Sequence, residues 1–407
     1  SHDVSHQACG RAGARARLIT FSSNTLGEFR VGVNADWFGA VASALIGGIG
    51  SLLIAGVWVL IFPDLRRIER FDPADRKPVE ASMHVLITGA AGMIGRKLTT
   101  RLAIDRALGN QPIDKLTLID LCVPERPPGF SNHVKIRAVD LSVPDAAEKA
   151  VAERPDVIFH LAGVVSGEAE TDFEKGYRVN LDGTRALLET VRAIVDYKPK
   201  FVFTSSIAVF GAPFPETIPD DFHLTPLTSY GTQKAMSELM LADYTRRGFL
   251  EGVGVRLPTI CVRPGKPNKA ASGFFSGIIR EPLAGQEATL PVADSVMHWH
   301  ASPRAAVGFL IHATGLSRAQ LGDRINLTMP GVCCTVGEQI AALKRIAGDK
   351  VVARIRREPN ALVERIVAGW PRRFDASRAL ALGFTVEASF DEIIRAHIED
   401  ELDGKIV

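Results

Sequence analysis

From Met83 onward, short apolar runs rich in β-branched residues alternate with stretches whose apolar positions recur at helical spacing. M-H-V-L-I-T (Met83 to Thr88), K-L-T-L-I-D (Lys115 to Asp120), V-K-I-R-A-V-D-L (Val134 to Leu141), D-V-I-F-H-L-A-G (Asp156 to Gly163) and K-F-V-F-T-S-S (Lys200 to Ser206) read as strands. Helical spacing follows the first of them, from Arg96 to Leu108. Strands alternating with helices predict a doubly wound α/β architecture around a parallel sheet. Beyond Arg263 the pattern becomes mainly helical, with helices over Ser302 to His312 and Phe390 to Leu402 and one short strand starting at Arg324. Residues 83–262 are therefore expected to form one domain, and residues 263–407 a smaller α-rich domain over its cleft.

The first 82 residues follow another pattern. Trp37 to Phe62 is a run of twenty-six residues without a charge, more than the roughly 20 needed to cross a bilayer. It predicts one N-terminal transmembrane helix over 37–62, with residues 1–36 before it and a Pro- and charge-rich linker, 63–82, after it. Trp37 and Trp58 lie near its ends, as interfacial aromatics do. Arginines flank both sides, so charge alone does not orient the span. G-V-N-A-D-W-F-G (Gly32 to Gly39), the apolar run and F-P-D-L-R-R-I-E-R after it resemble the carboxyl end of a major facilitator superfamily exporter, over about residues 20–75. One span cannot transport alone, because such a site needs several helices around the midplane. The chain begins at Ser1 and its first methionine is Met83. The expectation is that residues 1–82 are the remnant of an upstream transporter reading frame, fused or merely conceptually translated, with the enzyme proper starting at Met83; the alternative is a membrane tether.

Charge narrows the partners. A formal net charge of +2, with Lys and Arg dispersed along the chain, argues against nucleic acid. Five cysteines, Cys9, Cys122, Cys261, Cys333 and Cys334, are odd in number and form no C-x-x-C, so neither a disulfide framework nor a zinc site is indicated. His298 and His300 lack an acidic neighbour, and no metal is expected. These features suit a reducing, cytoplasmic compartment for the catalytic part.

The first strand runs directly into G-A-A-G-M-I-G, Gly89 to Gly95, and then a helix. Glycines at this spacing allow a tight turn and a close approach of backbone N–H groups to a pyrophosphate at the helix start. Gly89, Gly92, Met93, Ile94 and Gly95 are thus candidate cofactor contacts in an NAD-binding Rossmann fold. Asp120 ends the second strand where a ribose 2′-hydroxyl would be held, with no arginine after it to meet a 2′-phosphate, which favours NAD over NADP. If the N-terminal span is used, that cytosolic cofactor places the Arg66 side and the enzyme in the cytosol.

Y-G-T-Q-K, Tyr230 to Lys234, puts a phenol and an ammonium four residues apart on one helix face. A phenol ionises near about 10, and nearby positive charge favours the phenolate, so Lys234 and a nicotinamide ring together would bring Tyr230 into working range. Ser205 and Ser206 end the strand before it.

The glycine loop, strand-end acid, H-L-A-G from His160, N-L-D-G-T from Asn180, T-S-S and Y-x-x-x-K occur in that order. Residues 83–407 resemble the extended short-chain dehydrogenases, the group that includes sugar-nucleotide epimerases and dehydratases. The resemblance implies Tyr230 as proton acceptor, Ser206 as hydrogen-bond donor to the reacting oxygen with Ser205 as the other candidate, and Lys234 on the nicotinamide ribose. It places Asn180 near the cofactor, Asp140 and Leu141 around the adenine, and Gly163 and Val164 along the groove.

H-L-A-G-V-V-S-G-E-A-E and V-R-L-P-T-I-C-V-R-P-G bring the resemblance closest to members of this family that oxidise a small sugar acid with NAD. A carboxylate substrate calls for a guanidinium, whose fork matches two oxygens. Arg304 and Arg263 are the candidates, with Ser166 as a hydroxyl contact. Three other readings stay open: an epimerase or dehydratase acting on a nucleotide sugar, a non-catalytic NAD-sensing regulator, and a membrane transport component resting on the first eighty residues alone. A homodimer is one assembly left open.

Overall fold

The computed structural model describes residues 83–265 and 272–407, together with Ile49. The span expected over 37–62, its linker and the exporter-like stretch lie outside the described residues. Among the described residues no helix is long and apolar enough to cross a membrane. Val79–Val407 forms a compact unit of its own.

In chain order the strands are β1 (Met83–Thr88), β2 (Ala107–Leu108), β3 (Gln111–Asp120), β4 (His133–Ala138), β5 (Val157–His160), β6 (Lys200–Ser206), β7 (Glu251–Leu257), β8 (Thr259–Ile260), β9 (Ala288–Leu290), β10 (Met297–Ala301), β11 (Asn326–Thr328), β12 (Val332–Thr335) and β13 (Ile355–Arg357). An eight-stranded sheet carries the order β4-β3-β1-β5-β6-β7-β11, all parallel, with β2 turning back antiparallel on the start of β3. The chain runs outward from β1 through β3 to β4, then returns to β5 on the other side of β1. That reversal leaves a crevice at the carboxyl ends of β1 and β5, where ligands bind in such sheets.

The apolar runs read as strands because both faces of a parallel sheet are covered. Leu86, Ile87, Ile158 and Phe159 are fully buried. Helices Met93–Asp105 and Pro303–Thr314 pack against each other on one face, and Ala146–Val151, Gly183–Ala193 and Ser229–Arg246 cover the other. The first helix differs from its expected limits, beginning at Met93 and stopping at Asp105. Arg106 takes a left-handed φ of 55° and donates its N–H to Leu102 O, and the next two residues turn back as β2.

The division expected at 262/263 is not a clean cut. Ala301 to Met329, with Ala379 and Phe384, belong to the same core as β1 and β6, because β11 adds to the main sheet beside β7. A second core holds Cys261, Phe275, Ile340, Ile393 and their neighbours. The small sheet β12-β10-β8 continues β7 into that second core.

Candidate active site

At the end of β1, Gly89 has φ +73°, and a Cβ there would stand 2.6 Å from Ala162 N at the end of β5. A Cβ on Gly95 would meet Gly89 O and lie 2.7 Å from Ala90 Cα. Both positions therefore require glycine, and the loop they shape lies across the crevice. Gly92 caps helix Met93–Asp105 without a side-chain bond and with no acid in the first turn. The first-turn N–H groups, including those of Met93 and Ile94, thus face the crevice with the positive end of the helix dipole. These features fit a dinucleotide pyrophosphate.

Asp120, at the end of β3, accepts the Ala91 N–H through Oδ2 at 2.9 Å and the Leu121 N–H through Oδ1 at 2.7 Å. It ties the glycine loop to the strand end, a bond that spacing alone does not reveal. Asp140 lies just past β4 and accepts both the N–H and the hydroxyl of Ser142, closing its own turn. Leu141 is buried beside Gly183.

Asn180 sits in a π-helical turn, Tyr177–Asp182, and is 1% exposed. Its Oδ1 accepts the Val164 N–H at 2.8 Å while Nδ2 donates to Val164 O at 3.2 Å and to Gln233 Oε1 at 2.8 Å. The carboxamide thus pairs with the backbone on both sides, and removing it would leave buried polar groups unsatisfied at a cost of about 1–3 kcal/mol each. Gly163 fits between: a Cβ there would stand 2.9 Å from Asn180 Oδ1 and 3.8 Å from Lys234 Nζ.

Helix Ser229–Arg246 starts at Thr228, whose side chain accepts the Gly231 N–H. It brings Tyr230, Lys234 and Glu238 along one face against the end of β6. Ser206 Oγ accepts the Ala208 N–H at 3.1 Å, which leaves its proton free for the hydrogen bond to the Tyr230 oxygen. Lys234 Nζ donates to Thr204 O at 2.8 Å and lies 5.8 Å from the Tyr230 ring centre. Ser205 Oγ points away from this pair and donates to Glu238 Oε1 at 2.5 Å. The alternative of Ser205 as the reacting hydroxyl is therefore corrected: Ser205 is 2% exposed and committed to a carboxylate.

Burial dominates the electrostatics of the pair in the absence of a nicotinamide ring. Burial raises the Tyr230 phenol above its ordinary value, opposed by the Ser206 hydroxyl and by the positive charge of Arg263. Burial also lowers Lys234 to about 8, against the attraction of Glu238.

Arg263 and Arg304 separate clearly. Arg263 donates through Nε to Ile260 O at 3.1 Å and through Nη2 to Ser272 Oγ at 3.2 Å, and its positive charge pulls the Tyr230 phenol down. Arg304 lies in the first turn of helix Pro303–Thr314 on the outer face of the sheet. There it pairs with Asp400 at 2.6 Å and Glu399 at 3.0 Å, its side chain about half exposed at 48%. Its assignment to the substrate is corrected, because the helix that carries it returns to the main sheet. Ser166 opens helix Ser166–Thr171, which docks on the Tyr230 helix where Glu170 accepts the Ser229 N–H.

His298 and His300 are structural. His298 bonds Pro371 O and Thr259 Oγ1 and stacks on Phe275, and His300 bonds Gln339. Among the described residues no group of three or more His, Cys, Asp or Glu is arranged to hold a metal. Sequence reasoning missed Gln233, which lies inside the quoted Y-G-T-Q-K, and missed Thr88 and Thr184, which bond the two nitrogens of His160 at 2.7 and 2.9 Å. These contacts depend on the π-helical turn and on strand pairing, for which a single sequence has no sign.

The family model described as NAD dependent epimerase/dehydratase matches residues 85–300. This chain belongs to that family. NAD is its cofactor, and the glycine cradle at Gly89 and Gly95 and the acid at Asp120 fit it. The D-erythronate dehydrogenase of Cupriavidus necator is 50% identical over 324 residues, 78% of this chain and 98% of that protein. The D-erythronate dehydrogenase of Haemophilus influenzae is 42% identical over 322 residues, 79% of this chain and all of that protein. A crystal structure described as the nucleoside-diphosphate-sugar epimerase from Agrobacterium tumefaciens superposes with a TM-score of 0.78 at 64% identity, covering 80% of this chain and 96% of that one.

Proposed function

We propose that this family member is an NAD-dependent dehydrogenase that oxidises the C2 hydroxyl of D-erythronate to the 2-oxo acid. The observation that carries the reading is a mostly buried guanidinium, Arg263, whose positive charge acts on the phenol of Tyr230. An alcohol carbon next to a carboxylate needs both a base for its hydroxyl and a cation for its acid group, and these two residues supply them. The two dehydrogenase relatives share the substrate's name, which is what selects this sugar acid.

In this reading Ser206 donates to the substrate oxygen, Tyr230 takes the hydroxyl proton, and Arg263 holds the carboxylate with a hydroxyl contact from Ser166. Lys234 binds the nicotinamide ribose, and Asn180 fixes Gly163 and Val164 along the groove. Asp120 meets the adenosine ribose, and Asp140 and Leu141 bracket the adenine. When bound, NAD+ accepts the hydride. Arg263 has a second effect, since its charge favours the phenolate that oxidation requires.

A second reading is an epimerase acting on a nucleotide sugar, favoured by the similarity to the Agrobacterium protein named as a nucleoside-diphosphate-sugar epimerase. The two differ in whether NADH leaves the enzyme. The test is NADH absorbance with the purified full chain offered D-erythronate, its diastereomer threonate and a nucleotide sugar, with Tyr230→Phe alongside. Steady NADH release on erythronate that disappears in the variant supports the dehydrogenase. Turnover of the nucleotide sugar without net NADH, and silence on both acids, moves the protein to the epimerase reading.

A further inference from the structure

Three successive residues at the end of β6 each face one residue of helix Ser229–Arg246. Thr204 O accepts from Lys234 and Ser205 Oγ donates to Glu238, while the Ser206 hydroxyl acts on Tyr230 and pulls its phenol down. Tyr230, Lys234 and Glu238 are spaced four residues apart, so they stand one turn above another on the face that meets the strand. Glu238 is fully buried, and its two oxygens also accept from Arg256 Nε and Nη2 at 2.8 to 3.1 Å. Arg256 lies on β7, the next strand, and its Nη1 reaches Asp220 O at 2.9 Å. The far end of the helix face is thereby anchored to two neighbouring strands, while the near end carries the reacting phenol.

We propose that Ser205 and Glu238 are positioning residues, which set the height of the helix on β6 so that Lys234 and Tyr230 both reach their places at the strand end. The proposal rests on the assignment of Tyr230 and Lys234 above, and it concerns a part of the site that the substrate does not touch. A burial-only role for the pair is at odds with the geometry. Glu238 takes the hydroxyl of the one residue between the two that hold Lys234 and Tyr230, so a shift along the helix axis moves all three contacts together. Ser205 is the more informative position, because Ser205→Ala leaves the Glu238–Arg256 pair intact and so keeps the buried charges matched.

The experiment compares Ser205→Ala, Ser205→Thr, Glu238→Gln and the double variant Ser205→Ala/Glu238→Gln in the full chain. NADH affinity is read by fluorescence titration, kcat and KM are read on D-erythronate, and a thermal melt checks folding. Ser205→Ala is expected to lower kcat about tenfold and weaken NADH several-fold while KM for the acid stays within twofold. Ser205→Thr, which restores the hydroxyl, is expected to recover both. The double variant is expected to lose little beyond Glu238→Gln, because the neutral amide already loses the charge that strengthens the bond from Ser205. The proposal is overturned if Ser205→Ala lowers only the melting temperature, or if its loss multiplies with that of Glu238→Gln, which would make Ser205 act on its own account. If Glu238→Gln does not fold, the Ala and Thr variants decide alone. NADH affinity needs no substrate, so wild-type silence on erythronate would sink the substrate assignment and leave this test standing.

Discussion

Lys234 Nζ bonds the carbonyl of Thr204 at 2.8 Å and stands 5.8 Å from the centre of the Tyr230 ring. The ammonium is held by the strand and not by the phenol. Burial then works on the two groups in opposite senses, raising Tyr230 and lowering Lys234 to about 8. Glu238, paired with Arg256, acts on Lys234 from its own helix, and the ring of Tyr230 and the neutral His160 of β5 also lie near it.

The sign of the pH dependence follows. The positive charge of Lys234 is present below its folded value and lost as pH rises through about 8. Because this ammonium is assigned to the nicotinamide ribose, NADH affinity is expected to be flat in the neutral range and to weaken above about pH 8. Fluorescence titration across this range checks it, with Lys234→Met expected to bind weakly at every pH. A wild-type affinity that stays flat to well above that value would remove Lys234 from the ribose contact.

Arg263 and Arg304 make a paired test. Arg263→Ala removes a mostly buried cation whose charge acts on the reacting phenol, and a charge-assisted bond to a carboxylate contributes about 1.5–3 kcal/mol. KM for the acid is expected to rise roughly 10- to 100-fold, with kcat falling as well because the phenolate loses a favourable charge. Arg304→Ala breaks only exposed pairs with Glu399 and Asp400, worth about 0–1 kcal/mol, and should leave both constants near wild type. Steady-state kinetics in which Arg304→Ala is the damaged variant would reverse the assignment.

Gly89→Ala is expected to abolish NADH binding or folding outright. Its φ of +73° already disfavours a side chain, and the added Cβ would stand 2.6 Å from Ala162 N and 2.7 Å from Leu161 C, both backbone atoms of the segment after β5. Neither can move without opening the β1–β5 crevice. Gly109→Ala, at φ +58° with open space around it, is the control and should cost only the backbone strain of about 1–2 kcal/mol. Equal melting temperatures and NADH affinities for the two variants would show that the close approach does not matter.

Strand positions were readable because a buried parallel strand needs an apolar run whatever its partner: Met83–Thr88 and Lys200–Ser206 match their expected limits. The first helix ended early because its stop is a left-handed arginine, Arg106, not a glycine. At the site, Tyr230, Lys234 and Ser206 could be singled out because their spacing is local. The choice between Ser205 and Ser206 was not readable, since it turns on which hydroxyl faces Glu238, seen only when the helix is laid on β6. Arg304 misled for the same reason: nothing in H-W-H-A-S-P-R-A-A says that its helix returns to the outer face of the main sheet.

His160 gives the fold an acid sensitivity. Thr184 spends its proton on Asn180 O, so it accepts from His160 Nε2–H, and Nδ1 in turn accepts from Thr88. The ring is therefore neutral, and burial holds it down to about 3. A histidine depressed in the folded state contributes stability that is fully present above its unfolded value of about 6.5 and is lost as pH falls from there towards the folded value, because the unfolded chain takes up the proton first. At pH 5 this single residue is expected to cost about 2 kcal/mol relative to pH 7. His298, His84 and His397, each lowered to about 4, act in the same direction. Urea unfolding of the wild type and of His160→Gln at pH 7 and pH 5 isolates the term: the variant starts less stable but should lose about 2 kcal/mol less on acidification. Equal losses for the two proteins would mean that His160 already carries its proton in the native state, with Nδ1 donating to Thr88 instead of accepting from it while Nε2 still donates to Thr184.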